Sequence, residues 1–161
     1  MSPAEIEAFL HEKIPLARAM GVRVEACDAE ALVLTAPLEP NHNHLGTAFG
    51  GSLAALATLA GYACLWHALD DRDAHLVIRR SELDYRHPVT GTLRAVCRRP
   101  EERKLETFRA TFAIAGKARI ILDASIEEEG RQCLHFRGVF VAVREAGSTA
   151  RPHPHDANLP S

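Results

Sequence analysis

The sequence has no excess of charge of either sign: 19 Lys and Arg stand against 21 Asp and Glu in 161 residues, a formal net charge of -2. Nucleic-acid binding needs a clustered excess of basic residues, so that class is excluded. There is no C-x-x-C pair either; Cys27, Cys64, Cys97 and Cys133 are scattered. The N-terminal run MSPAEIEAFLHEK lacks the basic head and apolar stretch of a signal peptide. Free thiols in a reducing cytoplasm are therefore expected, with no disulfide. Composition also excludes collagenous, wholly disordered and small disulfide-scaffold proteins. At 47% hydrophobic residues, the chain suffices for one core and is too short for two ordinary domains. A domain of this size buries roughly 70% of its unfolded surface and needs no disulfide or metal to stay folded.

A second absence is local. From Pro40 to Leu69 there is no Asp, Glu, Lys or Arg. The first part, PNHNHLGTAFGGS, is polar and glycine-rich. The apolar stretch from Leu53 to Leu69 is 17 residues long, interrupted by Thr58, Gly61 and His67, and followed by Asp70, Asp71, Arg72 and Asp73. That is the low edge for spanning a bilayer, without the basic flank of an anchor. It reads as a core helix buried on all sides, and no membrane association is expected.

Around this helix the pattern predicts helices first and strands afterwards. Ser2-Pro3-Ala4-Glu5 is a capping box with proline at the first helical position, so a helix starts at Pro3. Pro15 breaks it, and a short turn through Met20 stops at Gly21. Val22–Cys27 and Ala31–Pro37 read as strands. After the helix, 76–86 reads as a strand with a bulge between Ile78 and Leu83, where the apolar parity shifts. Further strands are expected at 92–99, 106–115, 118–126 and 131–143, with a hairpin turn at Gly116 and a bulge at Gly138. Residues 1–145 form one domain, and 146–161 are expected to be a disordered tail. An α+β arrangement solves this burial problem: a curved antiparallel sheet wrapped around one long apolar helix, the hotdog architecture, preceded by a short N-terminal helix.

The densest special sequence is Asn41-His42-Asn43-His44-Leu45-Gly46-Thr47-Ala48-Phe49-Gly50-Gly51-Ser52, directly before the helix. First-turn N–H groups have no backbone partner, and the helix dipole adds partial positive charge there. Gly50 and Gly51 allow close approach of a ligand, either a phosphate or an acyl carbonyl in an oxyanion hole. A tight turn that needs glycines, with Ser52 as N-cap, fits the same residues.

The spacing Asn43-x-x-Gly46-Thr47-x-x-Gly50-Gly51 resembles the hotdog-fold thioesterases, where this stretch often reads N-x-x-G-T-x-H-G-G. The fuller run GTAFGGSLAALATLAGYACLWHAL resembles the YiiD C-terminal type of thioesterase. So do Tyr85-Arg86-His87-Pro88-Val89-Thr90-Gly91, the GKARIIL strand and Gly138-Val139-Phe140-Val141. The resemblance covers roughly residues 5 to 143. It implies that the Gly50 N–H, with that of Gly51, polarises a thioester carbonyl, and that Asn43 holds the attacking water. It implies that Gly46, Thr47, Phe49, Ser52, Tyr85 and His87 surround the substrate. The usual histidine is replaced by Phe49, and the usual helix carboxylate by Thr58, so the common carboxylate mechanism does not transfer.

Thr58 is a candidate nucleophile or water-positioning group, and equally a small helix residue bonding its own i−4 carbonyl. Glu82 and Asp84 share a strand face and are candidate general bases, or surface charges. Loop histidines His42 and His44 are candidate proton relays. Neither that pair nor His153/His155 comes with ligands at a metal spacing, and no metal or cofactor is expected.

The leading reading is a thioesterase acting on acyl-CoA or acyl-carrier-protein thioesters, with Arg79, Arg80, Arg98, Arg99 or Arg103 meeting nucleotide phosphates. A non-catalytic acyl-thioester binding module is the rival, motivated by the missing acid and histidine; a hotdog dehydratase is a third. Exposed sheet edges and family analogy imply a homodimer or dimer of dimers. In that assembly, residues 76–91 of one subunit would face the loop of the other.

Overall fold

A computed structural model describes residues 1–69, 71 and 74–144. The expected tail at 146–161 and the domain end at 145 lie outside the described residues. Helix α1 (Pro3–Lys13) opens with both bonds of the capping box: Glu5 N donates to Ser2 Oγ at 3.3 Å, and Ser2 N donates to the Glu5 carboxylate at 2.7 Å. Pro15 begins a second short helix, α2 (Pro15–Ala19).

One six-stranded antiparallel sheet follows: β1 (Arg23–Cys27), β2 (Ala31–Ala36), β3 (Ala74–Tyr85), β4 (Leu93–Arg98), β5 (Lys117–Glu128) and β6 (Arg131–Arg144). Their order across the sheet is β1-β2-β4-β5-β6-β3. Between β2 and β3 runs α3 (Gly50–Leu69), packed on the sheet's inner face. The alternation of Ala118, Ile120, Leu122, Ala124 and Ile126 points these side chains into the core, as their burial records. The two sheet edges are treated differently. At the β1 edge, Glu7 of α1 accepts the Val24 N–H at 2.9 Å, and His11 Nε2 lies 2.7 Å from the Val22 carbonyl oxygen. Among the described residues, the β3 edge has no neighbouring strand.

The bulge in β3 falls between Ile78 and Arg80, within the segment where the apolar parity shifts. Four expectations are corrected. Residues 106–115 are not a strand: Glu102–Ala115 is helix α4. The i, i+2 spacing of Phe108, Ala110, Phe112 and Ile114 contains an i, i+4 spacing, and only Leu105, Phe108 and Phe112 go inward while Ile114 stays 88% exposed. Gly116 is accordingly this helix's left-handed cap (φ 64°), with its N–H donating to the Phe112 carbonyl, and not a hairpin turn. β4 meets β5 only at Ala95–Cys97, and α4 runs beside the rest of β5, where Lys104 Nζ donates to the Ile121 carbonyl at 2.6 Å.

Gly138 is not bulged either; it is paired in register with both Ser81 and Leu122. A Cβ there would lie 2.7 Å from the Phe136 and Phe140 rings, so the glycine makes room for them. Finally, α3 is apolar all round but not buried all round. It is long and apolar enough to cross a membrane, yet 61% of its most apolar window is buried within the fold. The remainder includes a half-buried face carrying Ser52, Ala55, Thr58 and Tyr62.

Candidate active site

The loop before α3 is built from its own polar side chains. Asn43 Oδ1 accepts the Leu45 N–H at 2.8 Å and the Thr47 N–H at 3.3 Å, while Nδ2 donates to Thr47 Oγ1 at 2.9 Å. Gly46 takes a positive φ (77°) in this turn, donating to the Asn43 carbonyl at 3.1 Å. The loop is tied to its surroundings by Ala48 N, which donates to the Val89 carbonyl at 2.8 Å, and Phe49 N, which donates to the Asn41 carbonyl at 2.8 Å.

The first helical bond of α3 runs from Leu53 N to the Phe49 carbonyl at 3.1 Å. Phe49 is therefore the N-cap, which overturns Ser52 as the cap and leaves Gly50, Gly51 and Ser52 in the first turn. Their N–H groups have no i−4 partner within the helix, and they carry the positive end of a 20-residue dipole.

Tyr85, at the end of β3, donates its hydroxyl to the Gly50 carbonyl at 3.1 Å. This contact is made within one chain. A Cβ on Gly50 would sit 3.4 Å from the Tyr85 ring, so glycine permits the close approach. Neighbouring strand residues point to opposite faces. Tyr85 is paired with buried Leu134, whereas Asp84 is paired with His135 on the outer face and forms an ion pair with Arg86 at 2.8 Å. Glu82 is likewise engaged by Arg80, at 2.8 Å. Thus Gly46, Thr47, Phe49, Gly50, Gly51, Ser52 and Tyr85 come together, while Asp84 does not join them within the chain. His87 is exposed and held through its backbone N–H to the Cys133 carbonyl at 3.1 Å. Thr58 lies two turns into α3 and donates its hydroxyl to the Ala54 carbonyl at 2.8 Å.

A cavity of about 320 Å³ opens beside Gly51 and Ser52, lined also by Asn41, Phe49 and Met20. A second, of about 290 Å³, lies further along α3 against Thr58 and Tyr62. Both are bounded by Leu16 and Ala55, and among the described residues no Asp, Glu, Lys or Arg lines either. Other, larger concavities include those of about 580 and 700 Å³ where β5 meets α4 and on the outer sheet face, and it is there that Arg103 and Arg79 are found. Arg80 and Arg99 are paired with Glu82 and Glu102. Among the described residues, no group of three His, Cys, Asp or Glu side chains is arranged to hold a metal ion.

Two residues of the site escaped the sequence reading. Asn41 is 2% exposed, and its Nδ2 donates to the Met20 carbonyl at 2.9 Å and the Pro37 carbonyl at 2.8 Å. These two bonds fix the amide's orientation and leave Oδ1 buried without a hydrogen-bond partner among the described residues. The only signal was its place in the run PNHNH, where Asn43 competed for attention. Glu128 supports the second loop: its carboxylate accepts the N–H groups of Thr90 at 2.9 Å and Gly91 at 2.8 Å. Those bonds, the Thr90 bond first, hold its carboxyl below the usual carboxylate range. Nothing local in the sequence marks it.

Residues 3–144 match the family model described as "Putative thioesterase (yiiD_Cterm)". Among solved structures, a protein of unknown function from Chlorobaculum tepidum TLS is 32% identical, with a TM-score of 0.83 over 89% of this chain and 94% of that one. A protein from Shewanella oneidensis, titled "putative thioesterase", is 27% identical, with a TM-score of 0.75 over 88% and 96%. A Pseudomonas aeruginosa protein titled "Probable Thioesterase" shares the fold at 23% identity, with a TM-score of 0.76 over 89% and 97%. The antiparallel sheet, the long helix packed on it, the glycine loop and the family match agree: this chain belongs to the family described as "Putative thioesterase (yiiD_Cterm)" and has the hotdog fold.

Proposed function

We propose that this protein hydrolyses acyl thioesters, with the thioester carbonyl at the N-terminus of α3 and the acyl chain along its half-buried face. One observation carries the reading: two cavities that share Leu16 and Ala55 lie along α3 with no charged residue among their described lining, the first of them bounded by Gly51 and Ser52 of the helix's first turn. The carbonyl oxygen accepts hydrogen bonds from the Gly50 and Gly51 N–H groups, which grow stronger as charge develops on it. Water oxygen bonds to the carbonyl carbon, the C–S bond breaks, and the proton released from water ends on the leaving thiol sulfur. Asn43, occupied in shaping the loop, is a positioning residue on this reading.

With no carboxylate lining the channel, turnover should rise steadily from neutral to mildly alkaline pH, without the bell shape of an acid–base pair. Asp84 and His87 contribute only if a second chain brings them near. The working unit on this reading is a homodimer joined through the β3 edge. Acyl-CoA and acyl-carrier-protein substrates both suit such a channel.

The test is thiol release from a panel of acyl-CoAs, with the four cysteines subtracted as a blank. Gly50→Pro is the informative variant, since proline is tolerated at the first helical position yet carries no N–H. Turnover reduced about a hundredfold, with the melting temperature retained, supports the carbonyl assignment. Unchanged turnover removes it. The absent helix acid favours a second reading, a non-catalytic acyl-thioester binding module. Saturable binding with no thiol release above blank would establish that one instead.

A further inference from the structure

Gly51, Ala55, Thr58 and Tyr62 recur every three or four residues along α3 and so share one face. Gly51 and Ala55 line the cavity at the helix start, while Ala55, Thr58 and Tyr62 line the next, with Ala55 and Leu16 common to both. On this face of α3 the side chains are small at the first cavity and largest at Tyr62 in the second. The walls at the far end are apolar: Leu59, Leu76, Ile78 and Phe140. Tyr62 is not free to swing aside. Its ring stacks against Phe9 at 6.3 Å with planes only 9° apart, and Phe9 in turn lies 3.6 Å from Trp66. Burial also pushes the Tyr62 phenol up, so it stays neutral and brings no charge to the channel end.

We propose that Tyr62 closes this channel and sets the longest acyl chain the protein accepts. From Gly51 to Tyr62 the helix rises about 16 Å, the reach of roughly ten to twelve carbons. The inference rests on the acyl-thioester reading above, but it concerns binding as well as turnover. A medium-length fatty acyl group is the substrate class that fills the apolar path without leaving chain beyond it. Each methylene added up to Tyr62 strengthens binding about fourfold. Longer chains must fold back or remain in water and gain nothing.

The experiment measures both kcat/KM on acyl-CoAs from two to sixteen carbons and the Kd of the corresponding non-hydrolysable acyl thioether analogues of CoA. Tyr62→Ala should move the optimum to chains roughly two to four carbons longer. Ala55→Leu narrows the channel at its first turn and should move the optimum the other way, which keeps the test decisive if Tyr62→Ala fails to fold. A length optimum in Kd that moves with both variants, without thiol release, supports Tyr62 as the gauge while removing hydrolysis. Turnover with a length profile unmoved by either variant overturns the gauge and leaves hydrolysis standing. A change in oligomeric state without a change in length preference also overturns it, because a second copy would then occupy the channel.

Discussion

Glu128 and Thr90 are 38 residues apart in sequence, yet the Glu128 carboxylate is what holds the 90–91 turn. Its carboxyl is depressed below the ordinary value of 4.5, chiefly by the Thr90 N–H. A depressed carboxyl contributes stability that is fully present above its unfolded pKa and lost as pH falls through its folded pKa. Acid unfolding should therefore include a step below about pH 4.5, and Glu128→Gln should remove that step while costing about 1–2 kcal/mol at neutral pH. Urea titrations across the acid range measure both. The two loop asparagines should also separate. Asn41→Ala strands the Met20 and Pro37 carbonyls in a buried setting and should cost about 2–3 kcal/mol, against about 1 for Asn43→Ala in its more exposed loop. Equal costs in urea denaturation would contradict these placements.

Among the elements, α4 is the one whose pattern reads two ways. A strand at 106–115 would put Phe108, Ala110, Phe112 and Ile114 on a common face and give them similar weight. The helix separates them, with Phe112 at 3% exposure and Ile114 at 88%. Phe112→Ala should cost about 3–4 kcal/mol, and Ile114→Ser should fall within about 0.5 of wild type. Thermal melts of the two variants decide between the geometries. Gly116→Ala forces a side chain into the left-handed region at the helix cap and should cost about 1 kcal/mol.

At the scale of the whole molecule, the two sheet edges invite different fates. Side chains of α1 occupy backbone groups along β1, while β3 presents a 12-residue edge with Val77 at 53% exposure and Ile78 at 39%. Open edges with apolar flanks pair with other chains unless charge or proline discourages it. Light scattering should find a dimer, and Val77→Lys should weaken its association about tenfold or more. A monomer in the wild type would require the channel along α3 to be completed by one chain alone.

Much of the fold was legible because its signals are local. The capping box at Ser2, the strict alternation of β5, the parity shift in β3 and the charge-free run of α3 each lie within a short window. The loop motif likewise located Gly50 and Gly51 at the start of the helix, since first-turn amides and glycines are sequence neighbours. Contacts across the sheet were not legible. Tyr85 reaches Gly50 across 35 residues, and nothing in either neighbourhood announces the other. The face on which Asp84 falls depends on a one-residue bulge, because a strand's period of two turns each slip into a reversal of sides. That Asn41 is buried while Asn43 shapes its own loop is likewise a property of packing alone. By itself the sequence determined which segments must hide from water and where a helix begins. Only the tertiary structure decided which distant side chains meet at that beginning, because register and burial are set by the whole sheet at once.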